Sequence, residues 1–155
     1  MSSPPFTQRT VKTCSEEETI ALGEKLGCAL VAGDVVSLSG GLGAGKTTLT
    51  KGICKGLGVD EKRPVRSPTF AMINDYQGKI PVRHADLYRV EGEDELETIG
   101  LFDSAIIGVT IIEWGDKLDR DDTSGMITVK INDLGDSARE IIIVAPRKVI
   151  DKAGI

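Results

Sequence analysis

The chain has 155 residues, which at about 150 residues per domain predicts one domain over 1–155, with 1–8 and 147–155 as flexible ends. Its apolar fraction of 40% and charged fraction of 28% exclude a disordered, collagenous or coiled-coil chain. The net charge of −5 argues against a dedicated nucleic-acid surface. The longest apolar stretch, Ile141 to Ala145, falls far short of the ~20 residues that span a bilayer, so no membrane association is expected.

The elements read as strands alternating with helices, then a β-rich second half. The opening stretch MSSPPFTQRTVKT lacks the apolar core expected of a secretory leader. Ser15-Glu16-Glu17-Glu18 has the form of a capping box, and Leu22, Leu26, Ala29 and Leu30 fall on one face of the helix behind it. Gly33-Asp34 signals the turn that ends this helix. Val35, Val36 and Leu38 predict a short strand, and TLTKGICKGLG predicts a helix closing at Gly56 or Gly58. Strands are expected at Thr69–Asn74 and Ile80–Ala85, helices at Glu93–Ile99 and Leu101–Ile107, and a buried strand at Val109–Ile112. Met126–Ile131 and Glu140–Val144 alternate around Asp133–Ser137 as a hairpin does. The fold class is therefore α/β, a P-loop NTPase-like domain with a mixed, mostly parallel central sheet flanked by helices.

Between the first strand and the second helix lies Gly40-Gly41-Leu42-Gly43-Ala44-Gly45-Lys46-Thr47, an ungapped G-x-x-x-x-G-K-[ST]. Glycines let backbone amides converge on phosphate oxygens, and the helix that follows turns its positive end toward them. Lys46 is expected to bridge the β- and γ-phosphates, and the Thr47 hydroxyl to ligate Mg²⁺.

Such a site needs a carboxylate at the tip of a neighbouring strand. Glu113 ends the Val109–Ile112 run and is expected to serve the metal. Asp86 ends the strand containing His84 and is expected to orient water or a metal-bound water. Ser67 and Thr69, around Pro68, read either as a turn entering a strand or as hydroxyls that could reach the terminal phosphate or the metal. Trp114, the only tryptophan, follows the metal acid. His84, the only histidine, reads as a strand residue with a backbone hydrogen bond, and Arg89 as either an ion-pair partner or a charge donor to the site. Lys51, Lys55, Lys62, Arg63 and Arg66 read as a solvated basic face.

Two rivals share the phosphate loop. Asp116-Lys117-Leu118-Asp119 imitates a guanine-reading box but begins with Asp, and Asp86-Leu87-Tyr88-Arg89 lacks a switch glycine, which disfavours a GTPase. A small-molecule P-loop kinase is the alternative function. It would call for an Arg-rich lid, whereas Glu91–Thr98 is acidic. Three cysteines, an odd number without a CxxC pair, suit free thiols and a cytoplasmic location.

LSGGLGAGKTTLTKG, VRSPTF, HADLYR and IIEW follow one another in an order and spacing that resemble the TsaE family of small P-loop ATPases, over about Ser15 to Arg139. The resemblance implies an ATP- and Mg²⁺-dependent subunit of tRNA threonylcarbamoyladenosine formation. It would act on a TsaB–TsaD pair and meet tRNA only through that complex. It assigns Gly43, Ala44, Gly45, Lys46, Thr47 and Thr48 to the phosphates, Thr47 and Glu113 to the metal, and Ser67 with Thr69 to a first switch. Asp86 falls in a second switch tied to hydrolysis. Trp114 matches the family's tryptophan, and Ser15, Glu16 and Arg139 match regions flanking the base. Two positions depart from the family: Gly41 stands where an Asp is usual, and Gly115 where a Pro is frequent.

Overall fold

Ser15 opens the first helix in the way the acids behind it dictate. In the computed structural model, which describes residues 5–41, 43–68, 73–90, 108–117 and 125–155, the Ser15 hydroxyl accepts from the Glu18 amide at 3.1 Å. The Glu18 carboxylate in turn accepts from the Cys14 amide at 3.3 Å. Helix α1 (Glu16–Ala29) buries Leu22, Leu26 and Ala29. The turn beyond it is closed by Asp34, which accepts from the Val31 amide at 2.8 Å, while Gly33 takes a φ of +98°.

The strands are β1 (Phe6–Thr13), β2 (Val35–Gly40), β3 (Ile73–Gln77), β4 (Pro81–Asp86), β5 (Val109–Glu113), β6 (Ile127–Gly135) and β7 (Ala138–Pro146). They form one sheet in the order β1-β7-β6-β2-β5-β4-β3. The central run β6, β2, β5, β4 is parallel, and β7, β1 and β3 join it antiparallel at the sides. Helix α2 (Lys46–Gly56) follows the phosphate loop, and α3 (Arg147–Ala153) follows β7. This is the mixed α/β sheet, parallel at its centre, that the alternation of elements implied.

Alternation along the strands separates two cores. Val36, Leu38, Val109 and Ile111 point to the side holding α1 and α2, whereas Val35 and Ile112 join Ala85, Leu87 and Met126 on the other. The two helices approach with backbones nearly touching. A Cβ on Gly52 would lie 2.2 Å from the Ile20 carbonyl, and one on Gly27 would lie 2.3 Å from that of Ile53.

Several expectations need correction. Residues 6–8, expected in a flexible end, pair with β7 within β1. Residues 147–153, expected in the other, form α3, whose Val149 and Ile150 are buried in the main core. The strand expected at Thr69–Asn74 is β3 at Ile73–Gln77, with 69–72 outside the described residues. The helices expected at Glu93–Ile99 and Leu101–Ile107 also lie outside them. Among the described residues no helix is long and apolar enough to cross a membrane.

Candidate functional site

The parallel register decides which side chains meet. Asp86 and Glu113 are Cα partners on β4 and β5, and Leu38 of β2 pairs with Glu113. Both acids and the phosphate loop therefore emerge at one carboxyl edge of the sheet, where ligands of open α/β sheets bind. The loop itself needs glycine where φ is positive: +147° at Gly40, +76° at Gly43 and +110° at Gly45, the N-cap of α2. The two helix starts differ in a telling way. Helix α1 has a side-chain cap and three acids in its first turn, whereas α2 has neither, so its positive end is left for an outside anion.

A cavity of about 350 Å³ opens at this edge, lined by Gly43, Gly45, Lys46, Thr47, Thr48, Ser67, Asp86, Glu113 and Trp114. The Lys46 ammonium donates to the carbonyls of Gly40 and Gly41 at 2.8 and 2.7 Å and lies 3.9 Å from the centre of the Trp114 ring. Burial lowers its pKa from the usual lysine range, opposed by the charges of Glu113, Asp116 and Asp86. Thr47 donates its hydroxyl to Glu113 Oε1 at 2.8 Å. Ser67 donates to Asp86 Oδ2 in a very close contact, and Asp86 Oδ1 accepts from the Tyr88 amide at 2.9 Å. Trp114 holds a φ of +61°, uncommon for a residue with a side chain. This conformation sets its ring over Lys46 and 4.9 Å from that of Tyr88.

A second recess of about 180 Å³ is lined by Ser15, Glu16, Thr19, Gly45, Thr48, Ser137 and Arg139. It shares Gly45 and Thr48 with the first. Here Arg139 Nε donates to the Ala44 carbonyl at 2.8 Å and its terminal nitrogen pairs with Asp133 at 3.0 Å, which fastens the phosphate loop to β7. A third cavity of about 430 Å³ lies elsewhere, among Lys51, Lys55, Arg63 and Arg66 of the basic cluster. Lys55 there is paired with Glu24 and Glu61 at 3.7 and 3.4 Å.

The expected site residues line the first two cavities, except Ala44, whose side chain is buried in the core, and Thr69, which lies outside the described residues. Arg89 is exposed and does not line the site. Sequence reasoning missed two neighbours. His84, read as bonded to backbone, instead sets its Nε2 against Glu113 Oε2 in a very close contact. The available signal was its place two residues before Asp86, on the same strand face. Tyr88 gave no such signal, because its place beside Trp114 depends on the turn after β4.

The two family departures also have different causes. A Cβ at Gly115 would fall 1.7 Å from the Ser37 hydroxyl, so packing demands glycine there. At Gly41 a Cβ would meet nothing within 4 Å among the described residues, so they leave room for a side chain.

A glycine loop joining a parallel strand to an open helix start, with Lys46 and Thr47 facing an acid on the next strand, defines a P-loop protein of the mixed α/β class. The family model described as Threonylcarbamoyl adenosine biosynthesis protein TsaE matches residues 13–141, and the chain belongs to the TsaE family. It is 40% identical over 138 residues to the tRNA threonylcarbamoyladenosine biosynthesis protein TsaE of Bacillus subtilis, covering 86% of this chain and 84% of that protein. To the protein of the same name from a Nostoc species it is 45% identical over 108 residues, 66% of this chain and 65% of the relative. The crystal structure of YdiB from Bacillus subtilis superposes with a TM-score of 0.74 at 32% identity, covering 98% of this chain and 97% of that one.

Proposed function

We propose that this chain binds ATP with Mg²⁺ and hydrolyses it in support of tRNA threonylcarbamoyladenosine formation, acting on a partner pair resembling TsaB and TsaD. The observation that carries this reading is the contact of Thr47 with Glu113 at 2.8 Å, inside a cavity that also holds Lys46 and Asp86. Amides of the loop and of the first turn of α2 would bind the phosphate chain. Lys46 would exchange the carbonyls of Gly40 and Gly41 for β- and γ-phosphate oxygens.

The donors suit magnesium. It takes hard oxygen ligands, keeps several waters and needs only one or two carboxylates when phosphate supplies the rest. Thr47 and Glu113 fit that need, and among the described residues no larger group of acids, His and Cys could hold a metal alone. When bound, magnesium would neutralise charge on the phosphate oxygens. Asp86, already held by Ser67 and the Tyr88 amide, would orient the water that attacks the γ-phosphorus as the bond to the β-bridging oxygen breaks. Ser15, Glu16 and Arg139 would flank the base in the adjoining recess. The free state of Cys14, Cys28 and Cys54 supports a reducing, cytoplasmic setting, and the acidic net charge supports contact with tRNA only through the partners.

The test is an ATPase assay with and without a TsaB–TsaD pair. Slow hydrolysis alone and a rise of about tenfold or more with the pair, worth 1.4 kcal/mol or more in the barrier, is the expected result. Transfer of the γ-phosphoryl to a small molecule would instead identify a kinase.

A further inference from the structure

Glu113 is a nearly fully buried acid, 2% exposed, and a buried carboxylate has to be satisfied by hydrogen bonds. Its Oε1 accepts from Thr47. Its Oε2 has one donor among the described residues, the Nε2 of His84, which is itself fully buried on β4. Because a carboxylate can only accept, the imidazole donates through Nε2–H. Nδ1 has no hydrogen-bond partner among the described residues. The ring cannot easily turn away, since Tyr76 stacks on it with centroids 6.3 Å apart and planes at 29°.

A purely structural residue at this place would be apolar, filling the same volume without an orphaned nitrogen. Among the described residues the polar return for burying an imidazole here is its bond to Glu113. On the ATP and Mg²⁺ reading above, on which this inference rests, the Thr47 oxygen and Oε1 of Glu113 would face the metal together, and Oε2 would keep His84 as its donor. We infer that His84 is the positioning residue of the metal site: it pins Oε2 of Glu113 so that Oε1 stays beside Thr47, aimed at the metal.

The test compares His84→Phe, which keeps a ring and loses the donor, with His84→Gln, whose amide can donate in its place. Nucleotide affinity is titrated with and without Mg²⁺, and folding is followed by thermal melting. In His84→Phe the Mg²⁺ concentration for half-maximal nucleotide binding should rise about tenfold or more, with metal-free affinity unchanged and with His84→Gln restoring most of the loss. A folded His84→Phe with wild-type Mg²⁺ dependence would overturn the inference and leave the nucleotide reading standing. No Mg²⁺-dependent binding in the wild type would overturn both.

Should His84→Phe fail to fold, the wild type decides. Its single histidine gives one pair of ring ¹⁵N signals. The protonated Nε2 signal should move when Mg²⁺ joins bound nucleotide and stay in place with nucleotide alone. A ring indifferent to Mg²⁺ would contradict the inference.

Discussion

Lys46 is held between opposing influences. Burial works against its charge, three nearby acids work for it, and its ammonium rests on two loop carbonyls. The acids around it divide by environment. Glu113 is enclosed with Thr47 and His84, whereas Asp86 is only partly buried and tied to Ser67 in the segment before β3. Glu113→Ala should therefore weaken nucleotide binding only when Mg²⁺ is present, and Asp86→Ala should bind as the wild type does. Turnover in the Asp86 variant should fall by about a hundredfold or more, the range for losing a proton-handling or water-orienting group. Binding titrations beside single-turnover hydrolysis separate the two. The cysteines give an independent check on the packing behind α2. Burial pushes the Cys54 thiol up to about 12, while Cys14 and Cys28 are exposed. A thiol reagent at pH 8 should find two fast sites and a third only on unfolding. Cys54 is neutral in both states below its ordinary value of 9.0. Above it only the unfolded chain ionises, so stability should fall as pH climbs from 9.0 toward about 12.

The contact between α1 and α2 shows how an element can be placed by what its residues lack. Gly23 and Gly27 on one helix face Gly52 and Gly56 on the other, with carbonyls standing where Cβ atoms would be. Glycine inside a helix costs about 1 kcal/mol against alanine, and close helix packing offsets that cost. Gly52→Ala should destabilise the protein by about 1–3 kcal/mol through overpacking. Gly41→Ala, in open space, should shift the denaturation midpoint far less. Helix α2 ends at Gly56, one of the two glycines at which the sequence expected it to close. Elements with strong local signals were legible: the capping box of α1, the phosphate loop and the β-branched run of β5. Strand β1 was not, because its Thr7-Gln8-Arg9-Thr10 stretch is polar and gains its place from pairing with β7 at the sheet edge. Helix α3, with only Val149, Ile150 and Ala153 buried, is too short to display a period.

At the scale of the molecule, chain topology turns separated motifs into one site. The site acids were legible as strand ends, and the parallel register of β2, β5 and β4 brings them level. What sequence could not supply was the pairing across strands: which atom of Glu113 meets His84, or that Arg139, far along the chain, grips the Ala44 carbonyl. Those contacts arise only when the sheet is assembled. They leave one claim supporting the rest, that loop amides and the Lys46 ammonium form a seat for a polyphosphate. Isothermal calorimetry of the folded wild type and of Lys46→Ala, with ATP and Mg²⁺, tests it most directly. Saturable one-site binding in the wild type, weakened about a hundredfold or more (about 2.7 kcal/mol) in a Lys46→Ala protein of unchanged fold, is the predicted result. No measurable binding to the wild type, or equal affinity in the two proteins, would contradict the account.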